Sequence, residues 1–236
     1  MNILAFDTCF DACSVCVARQ QDGAVVTLAE RFEPMVVGHA EQLIPMVGEV
    51  LEAAALGFDS LDRIAVTVGP GTFTGTRIGV AAARGLALAT DVKVVGASSL
   101  AVLAETAVDK LASRPLYNDI AVAVDARRGE VYVQLFGEGG LDVKSAPQLL
   151  TIDAAARLGE GDPMLFVGSG AQSVAEAAKR SGRSAVAELP DLLPAAAALA
   201  RMAPGLAISE APLVPLYLRP PDAKPQDGKS IARAEP

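Results

Sequence analysis

The stretch VGPGTFTGTRIG, Val68 to Gly79, decides how this chain is read. It comes after an apolar run, Ile64–Val68, and leads into a segment of helical spacing. A strand, a glycine-rich loop and a helix in that order mark an α/β unit. The same order serves nucleotide loops, so the known templates must be tried. A Walker A loop needs G-x-x-x-x-G-K-[ST], with the lysine on the β- and γ-phosphates. Here Gly69 and Gly75 are one residue too far apart, and Thr76 stands where lysine belongs. The G-x-G-x-x-G pattern begins at Gly69 and Gly71 but meets Thr74 at its third glycine. Two readings stay open. The free N–H groups at the helix start could hold an anion, with Arg77 as a bidentate partner for a carboxylate or phosphate. Alternatively, Thr74 or Thr76 caps those groups, and glycine supplies backbone angles for a tight turn.

Outward from the loop, the first half reads βββαβαβα. Asn2–Phe6, Ala12–Ala18 and Ala24–Phe32 are strands, with a turn signal at Gln21–Gly23. His39–Leu56 has helical periodicity, with Leu43, Val47, Val50, Leu51 and Ala54 on one face. Pro45 inside it predicts either a helix start near that residue or a kinked first turn. Ile64–Val68 and Lys93–Ala97 are strands; helices span about Thr74–Ala89 and Ser98–Leu111. The order then restarts. Ile120–Val124 ends in Asp125, ARRG turns, and Glu130–Phe136 returns as an antiparallel partner. Met164–Val167 is a strand, GSG at 168–170 opens a helix to about Arg180, and Ala195–Ile208 is a helix. The expected organisation is an N-terminal lobe over 1–112, a C-terminal lobe over 113–219 and a polar, Pro-rich tail over 220–236. A meander followed by alternating α and β elements fits two mixed-sheet lobes better than a Rossmann sheet.

Composition limits the function. Hydrophobic residues make up 51% of the chain but aromatics only 4%, so alanine, valine and leucine must fill the core. A net charge of −8 opposes contact with nucleic acid along a broad surface. The N-terminus has no basic region and Asp7 interrupts its apolar run, so the expected location is the cytoplasm. No uncharged apolar stretch reaches the roughly 18 residues of a membrane span. Cys9, Cys13 and Cys16 are an odd set without a secretory signal, and the only histidine is His39. They read as small buried hydrophobes, with Cys13 and Cys16 on opposite faces of a strand, and not as metal ligands.

Several segments coincide in order and distance: FDTCFDACSV, GHAEQLIPMV, VTVGPGTFTGTRIGVAAARGLA, VDARRGEVYVQLF and LVPLYLR. Together they resemble the TsaB family, also called YeaZ, over residues 1–136 and again at Tyr217–Arg219. The resemblance implies a two-lobed actin-like, sugar-kinase-like (ASKHA) ATPase fold. It implies a role in forming N6-threonylcarbamoyladenosine at position 37 of tRNA, as a non-catalytic partner and activator of the transferase TsaD. The P-loop ATPase TsaE would join the complex, tRNA would be met only through it, and the isolated chain could form a homodimer. The alternative is an ATP-dependent phosphotransferase or ATPase of the same fold.

Residue by residue, Asp7 and Thr8 fall at the fold's first phosphate loop, and Asp125 with Gly129 near its second. Cys9–Phe10–Asp11 replaces the usual glycine-containing turn, which leaves fewer backbone donors for a phosphate. These four are the candidates for degenerate nucleotide binding. The catalytic paralogue carries two metal-binding histidines where this chain has only His39, so no metal, cofactor or catalytic residue is expected. The expected partner interface uses the helices after His39 and after Thr74: His39, Leu43, Val47, Gly75, Arg77, Gly79, Ala82 and Leu86. Gly75, Gly79, Ala82, Ala83 and Leu86 form a small-residue face, which could equally pack on the chain's own sheet.

Overall fold

The computed structural model describes residues 1–111, 119–137, 142–160, 163–208 and 211–220. The expectations for 113–118 and for the tail beyond 220 lie outside the described residues. β1 (Asn2–Asp7) pairs antiparallel with β2 (Ala12–Gln21), and β2 antiparallel with β3 (Ala24–Pro34). The β2–β3 turn uses Asp22 and Gly23, both at positive φ (51° and 83°), the geometry that matches strand twist in a tight hairpin. After α1 (His39–Ala53), β4 (Arg63–Thr67) pairs parallel with β1. After α2 (Phe73–Thr90), β5 (Lys93–Ala97) pairs parallel with β4, and α3 (Ser99–Leu111) closes the series. The sheet order is β3-β2-β1-β4-β5.

The second sheet repeats this plan. β6 (Ile120–Asp125) pairs antiparallel with β7 (Glu130–Phe136), and β7 with β8 (Gln148–Thr151). α4 (Ile152–Ala155) precedes β9 (Met164–Val167), which is parallel to β6; α5 (Ala171–Arg180) precedes β10 (Ala185–Glu188), parallel to β9. Its order, β10-β9-β6-β7-β8, is the first sheet's order with each strand replaced by its counterpart. Two lobes of identical mixed topology, each with helices after the third, fourth and fifth strands, make this the two-lobed actin-like, sugar-kinase-like fold.

Packing obeys strand alternation. Leu4, Phe6, Cys13, Val15 and Val17 meet α1 on one face of the first sheet. Ile3, Ala5, Cys16 and Ala18 meet α6 (Ala196–Met202) on the other. Cys13 and Cys16 therefore face opposite sides, as their odd spacing requires. All three thiols are free and fully buried, and burial pushes Cys13 up to about 12 and Cys16 to about 11. α3 is shared between the lobes. Leu100, Leu103, Ala104 and Ala107 pack on Ile120, Val122 and Phe136 of the second sheet, while Val102 joins the first lobe's cluster with Leu199.

Three expectations change. α1 starts at His39 and carries Pro45 inside, because Pro45 and Glu41 are both exposed, so the carbonyl left without a donor faces water. The helix expected over 195–208 runs only from Ala196 to Met202 and tightens into a 3₁₀ turn at Ala203–Gly205, where Pro204 offers no N–H. Finally, a C-terminal lobe ending at 219 is corrected. α6 packs under the first sheet, Ser14 Oγ accepts from the Ala196 N–H at 2.8 Å, and Leu213 joins the first lobe's core. The chain's end thus returns to where it began.

Arg201 holds this return in place. Its Nε donates to Glu105 Oε1 at 2.9 Å, and its Nη2 bonds Asp109, tying α6 to α3. Glu105 is nearly buried. Arg201→Ala is expected to lower stability by about 1–3 kcal/mol, the cost of leaving such a group without its partner. Urea unfolding would measure this, and an unchanged midpoint would contradict it.

Candidate functional site

β1 and β4 lie side by side and end together at Asp7 and Thr67. The turn leaving β1 and the loop leaving β4 must therefore cross within a few ångströms of each other. Thr67 Oγ1 donates to Asp7 Oδ2, and the Cys9 N–H donates to Asp7 Oδ1 at 3.2 Å. The Cys9 thiol lies 3.3 Å from Thr67 Oγ1, and the Thr72 N–H donates to the Cys9 carbonyl at 2.7 Å. Thr8 Oγ1 donates to the Gly75 carbonyl at 2.7 Å. The glycines of the loop are dictated by this crossing. A Cβ on Gly71 would stand 2.4 Å from the Cys9 carbonyl oxygen, and one on Gly75 only 2.0 Å from that of Thr8. On the side of their missing Cβ atoms, Gly71 and Gly75 are thus packed against the chain's own backbone, while Gly71 and Thr72 also border the cleft. The cap is Thr72, whose Oγ1 accepts from the Gly75 N–H at 3.1 Å; Thr74 and Thr76, the expected caps, do not serve.

Asp7 is fully buried and Thr8 nearly so. Burial pushes the Asp7 carboxyl up from 3.8 to about 6, against the Thr67 and Cys9 hydrogen bonds and the His39 charge, which pull it down. Neither residue is among those lining the cleft between the lobes; both fasten the seam. The cleft encloses about 550 Å³ between Phe10, Asp11, Gly71 and Thr72 on one side and Asp125–Arg127, Tyr132, Ser169 and Asp191 on the other. Asp125 lies on it, its Oδ1 accepting the Arg127 N–H at 2.8 Å and its own N–H donating to Ser169 Oγ at 3.0 Å. Gly129 sits back in the β6–β7 turn at φ 73° and is not part of the lining. Three carboxylates, Asp11, Asp125 and Asp191, against one arginine give the cleft a negative bias, which disfavours polyphosphate.

The expected partner residues divide into two groups. Leu43, Val47, Gly75 and Gly79 face inward: Leu43 and Val47 are buried in the first lobe's core, and a Cβ on Gly79 would meet Thr8 Oγ1 at 2.8 Å. His39 opens α1 and is buried, its Nε2–H donating to the Phe10 carbonyl at 2.9 Å. Ala82 and Leu86 are half-buried at the rim of the same core. Only Arg77 is exposed. It lies 3.5 Å over the Phe73 ring, and its Nε donates to the Tyr217 hydroxyl at 2.6 Å. The small-residue face therefore packs on the chain's own sheet. The outward faces carry other residues: Glu41, Ile44, Gly48 and Glu52 on α1, and Arg77, Ala81, Arg84, Gly85 and Leu88 on α2. Their signal was present in the sequence as the complement of the apolar stripe.

The family model described as "TsaD: tRNA N6-adenosine threonylcarbamoyltransferase" matches residues 33–207. An Escherichia coli protein named tRNA threonylcarbamoyladenosine biosynthesis protein TsaB is 32% identical over 233 residues, 93% of this chain and 95% of its own. The chain belongs to the TsaB (YeaZ) family. An uncharacterized Mycobacterium tuberculosis protein is 35% identical over 226 residues, 95% of this chain and 94% of its own. The solved structure of YeaZ from Pseudomonas aeruginosa superposes with a TM-score of 0.75 at 29% identity, covering 92% of this chain and 99% of that one. The matching family model bears an enzyme's name, so what this TsaB-family chain keeps of an enzymatic site rests on its residues.

The seam has two measurable consequences. A carboxyl with a raised pKa makes the folded chain bind a proton more tightly than the unfolded one. The contribution of Asp7 to stability therefore falls as pH rises from about 4 to about 6 and is flat above that. Asp7→Asn should remove this slope, a difference of roughly 1–3 kcal/mol between pH 4 and 7 relative to the native chain; parallel pH profiles would refute it. Gly75→Ala should cost about 3 kcal/mol because the Thr8 backbone cannot yield. Gly85→Ala in the same helix, with nothing within 4 Å of its Cβ, should instead stabilise by about 0.5–1 kcal/mol. Thermal melts of the pair decide.

Proposed function

We propose that this chain works in the formation of N6-threonylcarbamoyladenosine on tRNA as a non-catalytic partner and activator of a TsaD-type transferase. The observation that carries the reading is the closed seam, in a chain of the TsaB family. The glycine-rich loop, the candidate phosphate cradle, packs Gly71 and Gly75 tightly against Cys9 and Thr8, and the strand-end acid Asp7 is buried beneath it. The cleft that remains has an acidic lining. A phosphotransferase of the same fold would need that cradle open, and a peptidase of the serine or cysteine type would need a histidine beside its nucleophile. The only histidine, His39, is bonded to the Phe10 carbonyl, and the three thiols are buried.

The outward faces of α1 and α2 support a protein partner. Gly48, Ala81 and Gly85 allow a facing helix to come close, and Ile44 and the almost fully exposed Leu88 offer apolar contact. The exposed charges are Glu41 and Glu52 on α1 and Arg77 and Arg84 on α2. A partner built on the same two helices and turned by a two-fold axis would set acid against base on both sides. TsaD shares the fold and fits this description, and a second copy of the chain fits it when TsaD is absent. TsaE and tRNA would then be met through the assembled complex.

Size-exclusion chromatography with light scattering, on the chain mixed with TsaD from the same organism, is expected to show a heterodimer. Gly85→Leu and Gly48→Leu should leave the isolated fold unchanged, since nothing lies within 4 Å of either Cβ. Each should weaken the heterodimer by about tenfold, because overpacking of 1–3 kcal/mol spans that factor. Full affinity in both variants would place the interface elsewhere. ATP turnover by the pure chain would favour the phosphotransferase instead.

A further inference from the structure

Residues 211–219 bridge parts of the molecule that are otherwise far apart in sequence. Leu213 lies against Gly96 of β5. The Leu216 N–H donates to the Val68 carbonyl at 2.6 Å, at the start of the glycine-rich loop. The Tyr217 hydroxyl accepts from Arg77, and its ring stacks on Phe73 with 5.8 Å between centroids. Two residues later the chain reaches the second lobe, where Arg219 Nη2 donates to Glu130 Oε2 at 2.6 Å, with both side chains half-buried. Glu130 opens β7 immediately after the turn whose other leg, Asp125–Arg127, lines the cleft. That turn holds Arg127, Arg128 and Gly129 in succession at φ 65°, 60° and 73°. Left-handed geometry in two non-glycine residues persists only where the surroundings enforce it.

We propose that residues 211–219 are a strap that fixes the width of the interlobe cleft and links the start of α2 to the β6–β7 turn. Among the described residues the lobes also meet through α3, through Phe10 packed on the second lobe's cluster, and through a hydrogen bond from Ser98 Oγ to Gln134 Oε1 at 2.8 Å. A hinge about α3 cannot open the cleft at the β6–β7 turn unless the Arg219–Glu130 pair parts or the strap lifts from Val68. Because the pair is half-buried and charge-assisted, parting it exchanges a short, well-formed contact for solvation, and the closed arrangement is favoured. On the other side, Arg77 and Phe73 hold Tyr217 and so set where Arg219 begins its crossing. The inference does not depend on which partner binds α2.

The test uses the full chain with spin labels on Glu41→Cys and Ser173→Cys, exposed positions on α1 and α5 in different lobes. The native thiols are buried and stay unlabelled. Pulsed dipolar spectroscopy then reads the separation of the lobes. Arg219→Ala and Glu130→Ala are each expected to broaden the distance distribution and move it outward. Arg77→Ala should broaden it too, by releasing Tyr217. Circular dichroism checks that each variant is folded; if one of the pair is not, the other decides. Distributions matching the native one after loss of Arg219 or Glu130 would overturn the strap. An unchanged distribution in Arg77→Ala alone would overturn its link to α2.

Discussion

The first lobe depends on the contact between the carbonyl of Thr8 and the backbone of Gly75. The parallel strands β1 and β4 end next to each other, so the turn after one and the loop after the other compete for the same space. The 2.0 Å between the Thr8 oxygen and an imagined Gly75 Cβ leaves room for no other residue there. This closeness brings Cys9 and Thr72 within hydrogen-bonding range and lets Asp7 sit below, satisfied by Thr67 and the Cys9 N–H. It also sets how α2 lies on the sheet, and hence which side of that helix faces outward.

The second lobe repeats the seam with a different outcome. Its counterpart of the glycine-rich loop is Gly168–Gly170, after β9. A Cβ on Gly168 would stand 2.7 Å from the Ala123 carbonyl oxygen, and the Gly170 N–H donates to that same oxygen at 2.9 Å. The counterpart of Asp7 is Asp125, at the end of the first strand of its sheet. Yet Asp7 is sealed in while Asp125 faces the cleft and bonds its own turn. The difference lies in the turn that leaves each strand. After Asp7 the backbone folds under the loop and Cys9 packs against Thr67. After Asp125 the left-handed arginines turn the chain away, leaving the carboxylate at the rim. Equal topology thus produces one closed strand end and one open one.

The first lobe was legible almost element by element, because its strands are long enough to show alternation and its helices long enough to show period. Lys93–Ala97 and Glu130–Phe136 run as the sequence predicts. Of the four-residue elements, β9 shows as a fully apolar run, MLFV, whereas β8, α4 and β10 went unread, since four residues carry no period and these three mix polar with apolar residues or alanine. The return of α6 to the first sheet was unreadable too: it rests on Ser14 meeting Ala196, a pairing across 182 positions. At the candidate site, the sequence departs from the Walker and dinucleotide templates at Thr76 and Thr74. It could not tell that Gly75 and Gly79 look inward, because small residues suit a partner helix and a close sheet equally well. The side that is merely exposed, with Gly48 and Gly85, leaves no mark except as the remainder of the buried stripe.

In the first lobe the loop after β4 and the turn after β1 are packed on each other, with Gly75 and Gly71 against Thr8 and Cys9. Without a contact that spans them, two such lobes would sample a range of cleft widths. The bonds from Leu216 to Val68 and from Arg219 to Glu130 supply such a contact from within the chain, and they run past the exposed start of α2. In this arrangement control of the cleft passes from its interior to its outside. A protein lying on α2 would touch Phe73, Arg77 and Tyr217 directly, whereas a nucleotide in the cleft would meet three carboxylates and one arginine among an otherwise uncharged lining. A protein that covers the start of α2 would thus bear on Phe73, Arg77 and Tyr217, the residues that hold the strap in place.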